Sequence, residues 1–123
     1  MSEEINILVV DDSKTDRKIL SKTCESAGYK VYEASNGMDA IDVAISNTIS
    51  LIFMDINMPG VNGIEATEKI KELTGDDIAI VAVSDESREL YSQKSNGIKP
   101  FHNFIEKPVR SNDIVSTIKR YLF

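Results

Sequence analysis

Five times along this chain a short, mostly apolar run gives way to a stretch patterned at helical spacing. That alternation limits the fold more than any other feature. The runs are Ile5–Val10, Lys30–Ala34, Ser50–Met54, Ile78–Val83 and His102–Glu106. Several are apolar almost throughout, which suits strands buried on both faces of a parallel sheet. The intervening stretches repeat apolar residues on one helical face. The first carries Leu20, Cys24 and Ala27, with Ile19 beside them. The second carries Met38, Ile41, Ala44 and Ile45, and the third Ala66, Ile70 and Leu73. The fourth, roughly Glu86–Asn96, has little more than Leu90 and Tyr91; the last has Ile114, Val115, Ile118, Tyr121 and Leu122. Strands joined by helices must run parallel with right-handed crossovers. At 123 residues the length fits one α/β domain, residues 1–123, with an open five-stranded sheet covered by helices on both faces.

Local punctuation agrees with this reading. Asp12 or Ser13 can cap the first helix, with Asp16 an acid in its first turn, and Gly28 stops it. Ser35-Asn36-Gly37 opens the second helix, Gly75 closes the third, and Gly97 the fourth. Ser111 or Asn112 is expected to cap the last. The Ile98–Asn103 loop, with Pro100 inside it, follows no clear pattern.

Charge excludes several functions. A net charge of -6 leaves no basic stripe for nucleic acid and no attraction to an anionic membrane. No run approaches the ~20 apolar residues of a membrane span. Met1-Ser2-Glu3-Glu4 lacks the basic flank of a signal peptide. One Cys and one His give neither a disulfide nor zinc spacing, so Cys24 reads as a small buried hydrophobe and the cytoplasm as the compartment.

The strand ends carry the chemistry. Strand one ends in Asp11-Asp12, strand three in Asp55, strand four in Ser84, and strand five in Lys107. In a parallel sheet these C-terminal ends share one edge, where open α/β sheets bind ligands. After Asp55, Met58-Pro59-Gly60 and Asn62-Gly63 force an irregular loop. Converging carboxylates repel: two unit charges ~4 Å apart interact by ~4 kcal/mol at an effective dielectric of ~20. They need a cation, and hard oxygen ligands with positions left for water and phosphate suit Mg²⁺. A metal, an ammonium, a hydroxyl and a free carboxylate together suit attack of a carboxylate on phosphorus. A flavin-phosphate site is disfavoured, because Asp11-Asp12 would repel the phosphate.

Val9-Val10-Asp11-Asp12-Ser13, Met54-Asp55-Ile56-Asn57-Met58-Pro59-Gly60, Val83-Ser84 and Lys107-Pro108 resemble the receiver domain of two-component response regulators, over essentially the whole chain. The resemblance implies the strand order 2-1-3-4-5. It implies that Asp55 accepts a phosphoryl group from a phosphohistidine of a histidine kinase or phosphotransfer protein. Asp12, Asp55 and the Asn57 backbone carbonyl would hold Mg²⁺ (Mn²⁺ could substitute), with Asp11 in the outer shell. Lys107 would pair with the acyl phosphate, and its bond to Pro108 would be cis. Ser84 would swing toward the phosphate, and Phe104 would rotate inward, reshaping the face of helix four, strand five and helix five for a downstream protein. Such a protein is not a multiple-turnover enzyme, although it catalyses its own phosphorylation and dephosphorylation.

This sequence departs from the family in places. Asp85 stands where a small residue is usual, and its charge would hinder an incoming donor. Asn57 and Glu86 occupy positions that tune attack of water on the acyl phosphate and, resembling the chemotaxis regulator, imply a short-lived phosphorylated state. No output domain follows the last helix, so chemotaxis, phosphorelay and hybrid-kinase settings are all open. Two rivals compete. A haloacid-dehalogenase-type phosphatase needs an Asp-x-Asp pattern after strand one, which is absent. A binding module that works without phosphorylation would not need the intact acid set.

Overall fold

The computed structural model describes residues 5–123. The signal-peptide argument rests on Met1–Glu4, which lie outside the described residues. Five strands and five helices alternate: β1 Asn6–Val10, α1 Lys14–Ser26, β2 Lys30–Ala34, α2 Gly37–Ser46, β3 Leu51–Asp55, α3 Gly63–Thr74, β4 Ala79–Ser84, α4 Arg88–Ser95, β5 Asn103–Glu106 and α5 Ser111–Leu122. All strand pairs are parallel, in the order β2-β1-β3-β4-β5. The expected doubly wound architecture is therefore present.

Strand alternation divides the core in two. Leu8, Val10, Ile52, Met54, Ile80 and Ala82 point to one face, where Ala40 and Ala44 of α2, Ala66 and Ile70 of α3, and Tyr91 of α4 cover them. Ile7, Val9, Leu51, Phe53, Val81 and Val83 point to the other, under Leu20 and Cys24 of α1 and Ile114 and Ile118 of α5. The central strands are buried on both faces, as their uninterrupted apolar runs require.

The helix ends follow short-range chemistry. Ser13 caps α1, its hydroxyl accepting from Asp16 N–H. Asn36 caps α2, and Asn62 with Glu65 forms a capping box on α3. α5 corrects the expectation: Ser111 is already its first residue, Arg110 is the cap, and Asp113 accepts from Arg110 N–H. The Asp113 carboxylate reaches back to secure the Arg110 N–H from inside the helix. The helical faces are also narrower than the apolar pattern suggests. Leu73, expected inward, is exposed, as are Ile19, Met38, Ile45 and Leu90. The small residues Ala40, Ala44 and Ala66 let the helix backbones approach the sheet, which leaves flanking apolar residues outside.

The unpatterned Ile98–Asn103 segment is ordered by its contacts. Tyr91 Oη donates to Lys99 O at 2.8 Å, and the Tyr91 ring packs against Phe101 and Phe104. Lys99–Pro100 is cis, and so is Lys107–Pro108, as expected. His102 continues the sheet through its side chain, with Nδ1 accepting from Ile80 N–H at 3.0 Å. Among the described residues, no helix is long and apolar enough to cross a membrane.

Candidate functional site

Register brings the chemistry together. Val10 of β1 lies beside Met54 of β3, so Asp11 and Asp55 are the next residues on neighbouring strands. Asp55 aligns with Val83, which delivers Ser84 one residue further on. Lys107 N–H donates to Ser84 O at 2.7 Å, fixing the lysine beside the end of β4. The edge predicted from sequence therefore exists, and Asp11, Asp12, Asp55, Ser84 and Lys107 converge there.

One carboxylate oxygen from each of Asp11, Asp12 and Asp55 lies within 4.8 Å of the others. Asp11 and Asp55 are buried, and Asp12 is exposed. Asp11 Oδ1 accepts from Ser13 N–H at 2.9 Å. Its Oδ2 is sealed from solvent with no directed hydrogen bond, although Lys107 Nζ stands 3.0 Å away as an ion-pair partner. Asp55 Oδ1 accepts from Asn57 N–H at 3.2 Å, which orients the carboxylate, while Oδ2 is 3.8 Å from Lys107 Nζ.

Electrostatics follow from this crowding. Burial, then the charge of Asp11, pushes the Asp55 carboxyl up to about 8, against the pull of Lys107. Burial pulls the Lys107 ammonium down, but Asp16, Asp11 and Asp55 more than reverse this and hold it above its ordinary range. The residues present fit a small hard cation. Three convergent carboxylates, only one of them exposed, supply oxygen donors and excess negative charge, as Mg²⁺ requires.

Glycine explains how the following loop can approach. A Cβ on Gly63 would lie 2.1 Å from Asp55 O and 2.8 Å from Ile56 Cα. Only glycine lets α3 start there, and Gly63 N–H donates to Ile56 O at 2.9 Å. Gly63 thus holds the backbone that carries Asp55.

The remaining sequence candidates lie around this centre. Ser84 is fully buried, and its Oγ accepts from Glu86 N–H at 3.0 Å. Glu86 itself pairs with Lys94 at 3.1 Å. Phe104 is buried against Tyr91, with ring centroids 5.3 Å apart. Asp85 is exposed and, with Asp16, Ile19, Lys107 and Pro108, lines a cavity of about 290 Å³ on the Lys107 side of the site.

Sequence reasoning missed two participants. Asp16, read only as a helix-dipole acid, contacts Lys107 Nζ at 3.0 Å. Arg17 donates to Asp11 O at 2.9 Å and pairs with Glu33. No local pattern signals the Asp16 contact, because its partner lies 91 residues away in sequence.

Comparison with known proteins agrees with the geometry. A family described as the response regulator receiver domain matches residues 7–119. Protein PilH of Pseudomonas aeruginosa is 32% identical over 119 residues, covering 94% of this chain and 96% of that protein. The autoinducer 1 sensor kinase/phosphatase LuxN of Vibrio harveyi is 34% identical over 94% of this chain, which spans only 13% of that protein's length. The chemotaxis protein CheY4 of Vibrio cholerae superposes with a TM-score of 0.86 at 25% identity, covering 97% of this chain and 99% of that one. The response regulator TrrA of Thermotoga maritima, solved in complex with Mg²⁺ and beryllofluoride, gives 0.83 at 25% identity, covering 94% and 97%. Receiver domains are phosphoacceptor switches of two-component signalling, not turnover enzymes, and bind Mg²⁺ at an acidic site. With that fold, an acid cluster of that composition and a family match from residue 7 to 119, the chain belongs to the receiver domains of response regulators.

Proposed function

We propose that residues 1–123 act as one cytoplasmic phosphoacceptor unit, with Asp55 taking a phosphoryl group from a phosphohistidine of a histidine kinase or phosphotransfer protein. The ionised Asp55 carboxylate forms the new O–P bond, the P–N bond to the imidazole breaks, and the departing ring retains the electron pair. Asn57 N–H holds Oδ1, so Oδ2 is the freer oxygen. Asp12, Asp55 and the Asn57 carbonyl would hold Mg²⁺ (or Mn²⁺), with Asp11 behind them. When bound, the ion offsets negative charge on the carboxylates and on the transferring group. Lys107 supplies an ammonium to the phosphoryl oxygens, and Ser84 a hydroxyl once it leaves Glu86 N–H. Asn57 and Glu86 flank the approach of the water that later removes the group.

The output is a shift between two arrangements of the β4–α4 loop. Phe104 is buried here while Ser84 Oγ still accepts from Glu86 N–H. The ring is thus already inward, contrary to the expected coupled rotation, and the hydroxyl's change of partner is what remains to move the α4–β5–α5 face toward a downstream protein.

The observation that carries this reading is the meeting of Asp55 with Asp11, Asp12 and Lys107 at one strand edge. Similarity to a sensor kinase favours a second setting, as a receiver module within a phosphorelay or hybrid kinase. Acetyl phosphate with Mg²⁺ should add the mass of one phosphoryl group to the wild type and none to Asp55→Asn. Repeated turnover of a phosphoester, or uptake that survives in Asp55→Asn, would overturn the assignment.

A further inference from the structure

Lys107 Nζ pairs with Asp11 Oδ2 and with Asp16 Oδ2 at 3.0 Å each, and of these two acids Asp16 lies outside the acid cluster. Nζ donates to Asp16 Oδ2 at 3.0 Å, whereas Asp55 Oδ2, at 3.8 Å, is beyond hydrogen-bond length. Asp16 is not among the three clustered acids. Nor is its carboxylate needed by α1: Ser13 supplies the cap, and Ser13 N–H is taken by Asp11. Asp16 therefore sits in the first turn of α1 with its carboxylate against the lysine. Its side chain is 42% exposed, against 12% for Lys107, so the partner that can be peeled away is the acid.

We propose that Asp16 is a positioning residue that competes with the phosphoryl group for Lys107. This rests on the phosphoacceptor reading of Asp55. The ammonium must turn from Asp16 toward Asp55 as a phosphoryl group arrives. Asp16 sets how much of the ammonium's charge reaches that group, and so opposes formation of the phosphorylated state. A broken contact with a partly exposed acid corresponds to about a two- to fivefold change in affinity, the scale of such ion pairs.

The test is titration of beryllofluoride, in saturating Mg²⁺, into the wild type, Asp16→Asn, Asp16→Glu and Asp55→Asn, at low and high salt. Asp16→Asn should bind about two- to fivefold more tightly than wild type at low salt. That ratio should fall toward one at high salt, where the exposed pair is screened. Asp16→Glu, which keeps the charge, should stay near wild type. Equal or weaker binding by Asp16→Asn, a ratio indifferent to salt, or an Asp16→Glu variant that behaves like Asp16→Asn each overturns the proposal while leaving the phosphoacceptor reading intact. A wild type that fails to bind beryllofluoride, or an Asp55→Asn variant that binds it normally, overturns that reading itself and this proposal with it.

Discussion

Replacing Asp55 by Asn should stabilise the metal-free fold, and by an amount that depends on pH. Asp55 is an inversion of the usual carboxylate case. Burial and Asp11 raise its folded-state value to about 8 from an ordinary 3.8. Between those values the folded chain binds more protons at this site than the unfolded chain, so stability falls as pH rises through the window. Each pH unit is worth at most ~1.4 kcal/mol, so going from ~pH 6 to ~pH 7.5 has a ceiling of ~2 kcal/mol. Because Asp11 competes for the same proton, the change at this one site is reduced to about 1 kcal/mol. The Asn side chain is neutral throughout and keeps an oxygen for Asn57 N–H. Urea unfolding followed by circular dichroism, in EDTA, should show Asp55→Asn more stable than wild type at ~pH 7.5, with the gap about 1 kcal/mol smaller at ~pH 6. Saturating Mg²⁺ should narrow the gap by stabilising the wild type. A gap that is constant across pH, or a variant less stable than wild type at ~pH 7.5, would refute the claim that Asp55 is held as an electrostatically strained acid.

Two further substitutions probe the surroundings. Gly63→Ala would place a methyl 2.1 Å from Asp55 O; we expect a loss of about 2 kcal/mol or more in urea unfolding and weaker beryllofluoride binding, because the displaced backbone carries Asp55. Asp85→Ala removes an exposed negative charge from the cavity mouth beside Lys107; phosphorylation by acetyl phosphate should be about twofold faster at low salt, and an unchanged or slower rate would count against the repulsion.

Much of this molecule was legible in the sequence because its signals are local and repeated. Runs such as Leu51–Asp55 and Ala79–Ser84 have few ways to be buried other than as central parallel strands. Once the strands are parallel, their polar terminal residues must share an edge, so Asp11, Asp55, Ser84 and Lys107 could be grouped without a structure. What escaped depends on distances that no periodicity encodes. Leu73 matches an inward helical stripe, yet α3 approaches the sheet through Ala66 and Ile70 and leaves it outside. The Asp16–Lys107 contact spans 91 residues. The 98–103 segment is ordered by the Tyr91 hydroxyl and by an imidazole that replaces a carbonyl, and neither role leaves a composition signal.

The 2.7 Å bond between Lys107 N–H and Ser84 O couples two tasks that could have been kept apart. The ammonium bearer and the hydroxyl bearer share a backbone joint. A shift of the main chain at one residue drags on the mooring of the other. On the proposed reading, a substitution that shifts either main chain would alter at once the charge held beside Asp55 and the reach of the hydroxyl.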